Sequence, residues 1–419
     1  MLKILFTALH GAMIGCLVAT PALAQALPWT LESSIARALQ HAPELRASAA
    51  EIAARSGDIV QASAWPNPTV ELRADEKLGI ADGRGGYTVN QATITQAIPL
   101  GRLAHQRRAA EANLDAAREE QRYQRLQIEA RVAHAFHTLQ LTQARQQLAQ
   151  ERLTFATGLG KGTSVLVRYL TPLERARLDI LRESARQEVA HAEGTWSEAL
   201  AQFRALLALP PDAQPATALL IAADAPATLA VLSERLTSHP ALRATQQLRA
   251  ASRAGVDVAR AQRYADPTIS IFREQDILAN SRQNYTGIML GVHIPLWNKG
   301  DGGVARARAE ADKVDAQLDV QRRDLDSRLR QSHLHLGHLI EQAEHYRTRL
   351  LVPARQVLTL TRKAYTSGEQ NGLALVDANN TYFEAQARYL DLLHEAWIET
   401  AELRLAAGIS LMDNLEVQP

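Results

Sequence analysis

The chain repeats its own order of segments, and this duplication restricts its fold more than any other feature. "HAPELRA" (41–47) recurs as "SHPALRA" (238–244), and "PNPTVEL" (66–72) recurs as "ADPTISI" (265–271). Further matches lie 210 positions apart and are Phe155 with Tyr365, Gly158 with Gly368, Gly162 with Gly372, and Glu174 with Glu384. The sequence therefore predicts one structural unit built twice in tandem.

Both copies predict the same elements: a helix, two short strands, a very long helix, a glycine-containing break and another long helix. The predicted helices are 30–63, 102–156 and 164–208 in the first copy, and 228–263, 302–366 and 373–408 in the second. Matching residues of the two copies are 196 positions apart at "IPL" and 210 positions apart at the break. The very long helix of the second copy is therefore expected to be longer by 14 residues. The predicted organisation is a signal peptide (1–24), a first repeat (25–208), a proline-rich linker (209–227), a second repeat (228–408) and a C-terminal tail (409–419).

The N-terminus has the features of an export signal. Lys3 precedes an apolar run, Ile4–Val18, and Ala22–Ala24 offers an A-x-A cleavage site before Gln25. A membrane anchor and a lipoprotein acylated at Cys16 remain alternatives. Cys16 is the only cysteine, so a cleaved chain contains no disulfide. No other segment approaches 18 apolar residues, so any membrane crossing is expected from strands.

The glycine breaks predict tight reversals between antiparallel helices. Gly368 suits the left-handed position that ends a helix, and Asn371 suits the N-cap of the next one. In the first copy, "TGLGKGTS" (157–164) has the same character, with Thr163 or Ser164 as the cap. A single kinked helix is the alternative. After the second break, apolar residues recur every seven positions in two adjacent stripes, which indicates packing against several neighbouring helices.

The strand candidates alternate between apolar and polar residues. In "YTGIMLGVHIP" (285–295), the apolar side chains predicted to face lipid are Ile288, Leu290, Val292 and Ile294. In "PTVELRADE" (68–76), Glu71, Arg73 and Asp75 share the opposite face. This alternation is typical of membrane β-strands, whereas a soluble sheet packed on helices would bury those charges. Trp65 and Trp297 at one end, and Tyr87 and Tyr285 at the other, are candidate interfacial aromatics.

Four strands are too few to close a barrel, since single-chain membrane barrels begin at about eight. An open edge in lipid would leave backbone groups unpaired at a cost of several kcal/mol each. The predicted fold is therefore mainly α, with a transmembrane β-barrel portion shared between subunits. Three copies would give a barrel of 12 strands above a cylinder of twelve helices.

The sequence resembles the TolC-like outer membrane efflux proteins along nearly its whole mature length. The motifs that carry this resemblance are "HAPELRA", "AWPNPTVEL", "ITQAIPLG", "GVHIPLWNKGDGGVARARAEAD" and "AYTSG…ALVDA", together with the duplication. "HIPLWNKGDGGVARARAE" and the chain length look most like the CzcC-type branch, which serves heavy-metal efflux.

The resemblance implies a homotrimeric channel in the outer membrane of a Gram-negative bacterium, with a long periplasmic helical tunnel. Its implied partners are a periplasmic adaptor protein and an inner-membrane pump of the resistance-nodulation-division class, besides outer-membrane lipid. The helical turns would contact the adaptor through Gly158, Gly160, Gly162, Thr163, Ser367, Gly368, Asn371 and Gly372. Asp377 matches an acidic gate position of the family, although a solvated helix residue is the alternative. Ala374 stands where some members carry aspartate.

No residue set predicts catalysis, a cofactor or a resident metal. "GLGKGTS" lacks the spacing of a phosphate loop. The pairs His134/His137 and His335/His338 have a spacing that suits metal binding, but no third ligand follows, so they are interpreted as helix-surface residues. The net charge of +1 gives no reason to expect a nucleic-acid partner.

The predicted function is a passive conduit from periplasm to exterior in a tripartite efflux system for heavy-metal cations. The same kind of channel for organic compounds or drugs, or for type I secretion, is an alternative. A soluble periplasmic adaptor and a coiled-coil scaffold are the alternatives without a pore.

Overall fold

The computed structural model describes residues 29–74, 91–158, 171–278 and 281–413, without the side chains of Glu174, 276–278 and 281–282. The predicted signal peptide, most of the first glycine break and Tyr87 lie outside these ranges. The helices are α1 (Leu31–His41), α2 (Pro43–Ser63), α3 (Arg102–Gly158), α4 (Pro172–Leu206), α5 (Leu229–Leu236), α6 (Pro240–Ala261), α7 (Asp301–Tyr346), α8 (Val352–Thr366) and α9 (Gly372–Ala407). None of these described helices has a stretch apolar and long enough to cross a membrane.

The first helix of each repeat was predicted as one element and is in fact two. In the first repeat, Ala42 is extended between α1 and α2, with ψ of 117°. In the second, α5 ends at Leu236 and α6 begins at Pro240, after a non-helical His239. A proline disfavours the helical conformation of the residue before it, so Pro43 and Pro240 each begin a new helix.

The very long helix of the second repeat differs from the prediction in two ways. Gly101 and Gly300 directly precede α3 and α7, and both are left-handed, with φ of 79° and 71°. Aligning these glycines places three of the 14 extra residues in the turn before the helix, at 297–299, instead of in the helix itself. The helix is also interrupted by a π-helical turn, Arg347–Leu351. Pro353 follows one residue after this turn, and the wider turn accommodates its ring and its missing N–H.

The two repeats meet in one antiparallel sheet. Its strands are β1 (Thr69–Arg73), β2 (Gln91–Ala97), β3 (Thr268–Leu278) and β4 (Ser281–Gly291), in that spatial order. β2 belongs to the first repeat and β3 to the second, and they pair from Gln91↔Glu274 to Ala97↔Thr268. The prediction of four strands per chain is confirmed.

The long helices form hairpins, as predicted. In the first repeat, Arg182 donates to the carbonyl of Ala156 and Arg152 pairs with Glu188, so α3 and α4 run antiparallel. In the second, Ser367–Asn371 reverses the chain between α8 and α9. The main buried cluster combines α3, α7, α9 and the linker, and includes Leu141, Leu220, Leu336, Phe383, Leu390 and Leu403. The apolar stripes of α9 therefore contact several neighbours at once.

Each repeat ends its last helix with a left-handed residue, and only the second uses glycine. Gly408 has φ of 71°, whereas Ala208 after α4 has φ of 50°. Arg37 caps this helix end by donating to the carbonyls of Leu207 and Ala208, at 3.0 and 3.3 Å. The first repeat therefore holds a non-glycine residue in a conformation that costs about 1 kcal/mol or more.

We expect Ala208→Gly to raise the free energy of unfolding by about 1 kcal/mol, because glycine adopts the left-handed region without strain. Thermal unfolding of the purified protein measures this gain. The control is Ala205→Gly, in the last turns of α4. Ala205 is helical, so glycine at this position should lower the free energy of unfolding by about 1 kcal/mol. A loss of stability in the Ala208 variant would contradict the strain argument.

Candidate functional site

One face of the sheet is mainly apolar, with Gln96 and Arg273 as polar members. The directly opposed residues Val70, Ile94, Ile271 and Ile288 form a row across all four strands. All four are exposed, and Ile288 is 77% exposed. In the adjacent row, Ile269 lies opposite Leu290. An exposed apolar row across a whole sheet is expected to contact lipid or another molecule.

This surface continues past the end of β4. Val292 and Ile294 follow Leu290 with the same alternation, and both are exposed. They lie beyond Gly291, the last residue of β4, so two of the four predicted lipid-facing residues are outside the sheet. The structure thus leaves all four predicted side chains exposed, while their contact with lipid stays a prediction.

The opposite face of the sheet is mainly polar. Thr95 and Ser270 share a hydrogen bond of 2.8 Å across β2 and β3. Glu71 and Arg73 of β1 lie in this face, as predicted. Phe272, Met289 and Tyr285 also lie in this face, and the Phe272 ring covers the position where a Cβ on Gly287 would lie. A mainly polar face opposite a mainly aliphatic one suits a wet interior and an apolar exterior.

The sheet has two free edges within one chain. β1 and β4 are the outer strands, and each pairs with a single neighbour among the described residues. Each edge thus carries backbone N–H and C=O groups that need partners from elsewhere if the sheet enters a membrane.

The turn between α8 and α9 has the predicted caps. Gly368 is left-handed with φ of 81°, and Glu369 donates its N–H to the carbonyl of Ala364 at 2.9 Å. The Asn371 side chain accepts from the N–H of Ala374 at 3.0 Å and begins α9. Ser367 ends α8. Gly372 is buried as the first residue of α9. This compact turn is exposed at the end of the hairpin.

The first turn is described only in part. Gly158 is the last residue of α3 and is not left-handed, unlike its counterpart Gly368. Gly160, Gly162 and Thr163 lie outside the described residues. The contact of either turn with an adaptor stays a prediction.

Asp377 lies on the exposed face of α9, between one and two turns from the N-cap. Its carbonyl accepts from Thr381 at 3.0 Å. Its carboxylate has no ion pair or hydrogen bond among the described residues. The neighbouring Ala374 is half-buried. An unpaired, exposed carboxylate suits both a gate residue and a solvated helix residue, so the gate role of Asp377 stays a prediction.

A ladder of polar contacts joins α3 to α9, and no sequence pattern indicates it. Arg152 binds Asn380 at 2.9 Å as well as Glu188, so one guanidinium links α3, α4 and α9. The other contacts along the ladder are Arg145–Asp391, Thr138–His394 and His134–Glu402. These residues are far apart in sequence, so only the packing of the two hairpins brings them together.

The two histidines of each predicted pair lie in different environments. His134 contacts Glu402 at 3.0 Å, and His335 contacts Glu399 at 2.9 Å. His137 is instead buried and stacks on Trp397, with ring centroids 4.7 Å apart. His338 is exposed. Among the described residues, no group of three His, Cys, Asp or Glu side chains is placed to hold a metal ion.

Burial lowers the pKa of the His137 imidazole from 6.5 to about 4, against the opposing effect of its hydrogen bond with Gln140. The unfolded chain therefore binds a proton below pH 6.5 that the folded chain does not. The stability due to neutral His137 is full above that pH and is lost as the pH falls towards 4.

We expect the folded protein to lose roughly 2 kcal/mol between pH 7.5 and pH 5 through this group. His137→Gln should reduce this loss, because glutamine stays neutral throughout the range. His41→Gln, at the exposed end of α1, is the matched control. Unfolding curves at the two pH values measure the difference. An unchanged loss in the His137 variant would show that this buried ring is not its source.

A family model described as "Outer membrane efflux protein" matches residues 34–209 and 231–409, one stretch in each repeat. The chain belongs to the outer membrane efflux protein family. Membership confirms the predicted outer-membrane location, and it agrees with the exposed apolar sheet face and the long hairpins.

Two curated relatives match most of the chain. CzcC of Cupriavidus metallidurans, a cobalt-zinc-cadmium resistance protein, is 26% identical over 377 residues, which cover 88% of each chain. The protein CyaE of Bordetella pertussis is 28% identical over 409 residues, which cover 90% of this chain and 83% of CyaE. The predicted resemblance to CzcC-type proteins is confirmed.

The crystal structure of the outer membrane protein VceC from Vibrio cholerae has the same fold. Its TM-score is 0.75, and the match covers 91% of this chain and 96% of that chain at 18% identity. The predicted fold class is confirmed by this likeness.

Proposed function

We propose that this protein is the outer-membrane channel of a tripartite efflux system, and that it is a passive conduit rather than an enzyme. The observation that carries the proposal is the four-stranded sheet, which has one mainly apolar face, one mainly polar face and two free edges above two helical hairpins. Such a sheet becomes a pore when copies join edge to edge. Energy for export then has to come from another component.

The number of copies follows from the geometry of closure. Two copies give eight strands, which leave an interior just wide enough for side chains, whereas three give 12 strands and room for a passage. The helices offer surfaces for the same association, because single chains leave apolar side chains uncovered on α4 and α8. These are Leu173, Ile180, Val357 and Leu360. We therefore propose a homotrimer.

The ends of the hairpins are the proposed contact with a periplasmic adaptor, which would connect the channel to an inner-membrane pump of the resistance-nodulation-division class. The support for this contact is the position of the turn between α8 and α9. The turn Ser367–Asn371 lies at the far end of the helices from the sheet, so it reaches deepest into the periplasm when the sheet is in the outer membrane. Its small and polar residues leave the backbone accessible.

Heavy-metal cations are the proposed substrates. The support is the match to CzcC, whose name records resistance to cobalt, zinc and cadmium. CyaE covers a similar share of the chain and is not named for a metal, so export of organic compounds or type I secretion is the second candidate. The absence of a three-ligand cluster among the described residues is compatible with passage of metal, because a conduit need not bind its substrate tightly.

Deletion of the gene should lower the inhibitory concentration of cobalt, zinc or cadmium several-fold and leave that of dyes and antibiotics nearly unchanged. Growth inhibition across both panels measures this, and expression of the intact chain should restore resistance. A deletion strain sensitive only to organic compounds would favour the second candidate. A soluble periplasmic product, without trimers in the outer-membrane fraction, would contradict a channel of either kind.

Asp377→Ala should raise the conductance of single channels in planar bilayers and weaken their cation preference. Three carboxylates near the pore axis would attract cations, and their removal would widen the entrance. Asp312→Ala is the matched control, because Asp312 is also exposed but lies on α7 near the sheet. Unchanged conductance and selectivity in the Asp377 variant would count against its role as a gate.

A further inference from the structure

The second repeat contains a three-residue insert at the junction between sheet and helix. The first repeat passes from "IPL" directly to the left-handed Gly101, whereas the second passes from "IPL" through Trp297, Asn298 and Lys299 to Gly300. Gly101 and Gly300 have the same left-handed conformation, and they precede the corresponding helices α3 and α7. Aligning the two glycines therefore defines the insert. It occurs once per chain.

The insert follows the exposed apolar residues at the end of β4. Ile294 and Leu296 precede it and both are exposed, and the chain bends where the N–H of Leu296 bonds to the carbonyl of Ile294 at 3.0 Å. Trp297 then follows with 93% of its surface exposed. An exposed indole just beyond a strand that is predicted to face lipid suits the level where tryptophan is enriched in membrane proteins, between the hydrocarbon and the head groups.

Other aromatic residues lie at the same end of the sheet. Trp65 precedes the start of β1 and Tyr264 precedes the start of β3, and both are exposed. Counted from Pro68 and Pro267, Trp65 and Tyr264 occupy matching positions in the two repeats. Three exposed aromatics therefore flank the level at which the sheet ends. The hairpins extend from this level, so it faces the periplasmic leaflet.

The charge of Lys299 is uncompensated. The nearest acidic residue in sequence, Asp301, is bound by Arg263 at 2.6 Å. Arg263 also packs under the turn, since a Cβ on Gly300 would lie 3.1 Å from its Cγ. Lys299 itself has no ion pair or hydrogen bond to any described residue. The turn thus presents one free ammonium group beside an exposed indole.

We propose that the Trp297–Lys299 insert binds the head group of an anionic phospholipid in the periplasmic leaflet of the outer membrane. The Trp297 ring lies among the upper acyl and glycerol groups, and the Lys299 ammonium contacts the phosphate. The first repeat lacks both residues, so each chain has one such site. The inference goes beyond the proposed conduit function, because it assigns a lipid class to a defined loop.

Native mass spectrometry of the detergent-solubilised protein, titrated with phosphatidylglycerol or with phosphatidylcholine, tests the assignment. Lys299→Gln should weaken binding of phosphatidylglycerol about fivefold and leave phosphatidylcholine unchanged, since one lysine near an anionic surface contributes about 1 kcal/mol. Added salt should weaken the intact protein more than the variant. Arg306→Gln is the matched control, because Arg306 is exposed but already paired with Glu310.

A second variant removes Trp297–Lys299 and joins Leu296 to Gly300, which copies the first repeat. It should lose the preference for phosphatidylglycerol while keeping the oligomeric state of the intact protein. Equal binding of both lipids by the intact protein, or no effect of Lys299→Gln, would overturn the proposal. Dissociation of the oligomer by Trp297→Ala would instead identify the insert as a contact between copies, and would also overturn it.

Discussion

The hydrogen-bonding demand of the sheet edges governs the rest of this structure. Each chain contributes four strands, and β1 and β4 lack an outer partner within the described residues. In hydrocarbon, unpaired N–H and C=O groups cost several kcal/mol each, so the chain cannot insert alone. The same demand explains the helices, because copies that close a barrel must also bring their hairpins together around one axis.

The duplication lets one chain supply four adjacent strands. β2 and β3 join the repeats through the pairing from Gln91↔Glu274 to Ala97↔Thr268, so one chain supplies a continuous patch of wall. The hairpins below are joined by side-chain contacts, which comprise the buried apolar cluster of α3, α7 and α9 and the polar ladder between α3 and α9. Backbone pairing holds the upper part of the molecule, and side-chain packing holds the lower part. The two halves of the molecule therefore differ in how easily they can rearrange.

Much of this architecture could be predicted because its signals are local or repeated. The alternation around Ile288 predicted the outward face, and Gly368 with Asn371 predicted the turn and its caps. The break at Pro43 was missed because a proline is tolerated in the first turn of a helix. The sequence does not tell whether Pro43 begins a new helix or lies near the start of a single one. The Arg152 contacts could not be predicted, because they depend on how two hairpins far apart in sequence pack. The gate and adaptor surfaces stay predictions, since they depend on other chains.

Arg152 has a mechanical consequence for any dilation of the tunnel entrance. Its side chain is only 15% exposed and is shared between Glu188 on the first hairpin and Asn380 on the second. One hairpin cannot swing outward while the other stays still unless Arg152 loses its hydrogen bond to Asn380, at a cost of about 1 to 3 kcal/mol. Small outward displacements of a single hairpin should accordingly be resisted, and joint movement of both hairpins should be easier.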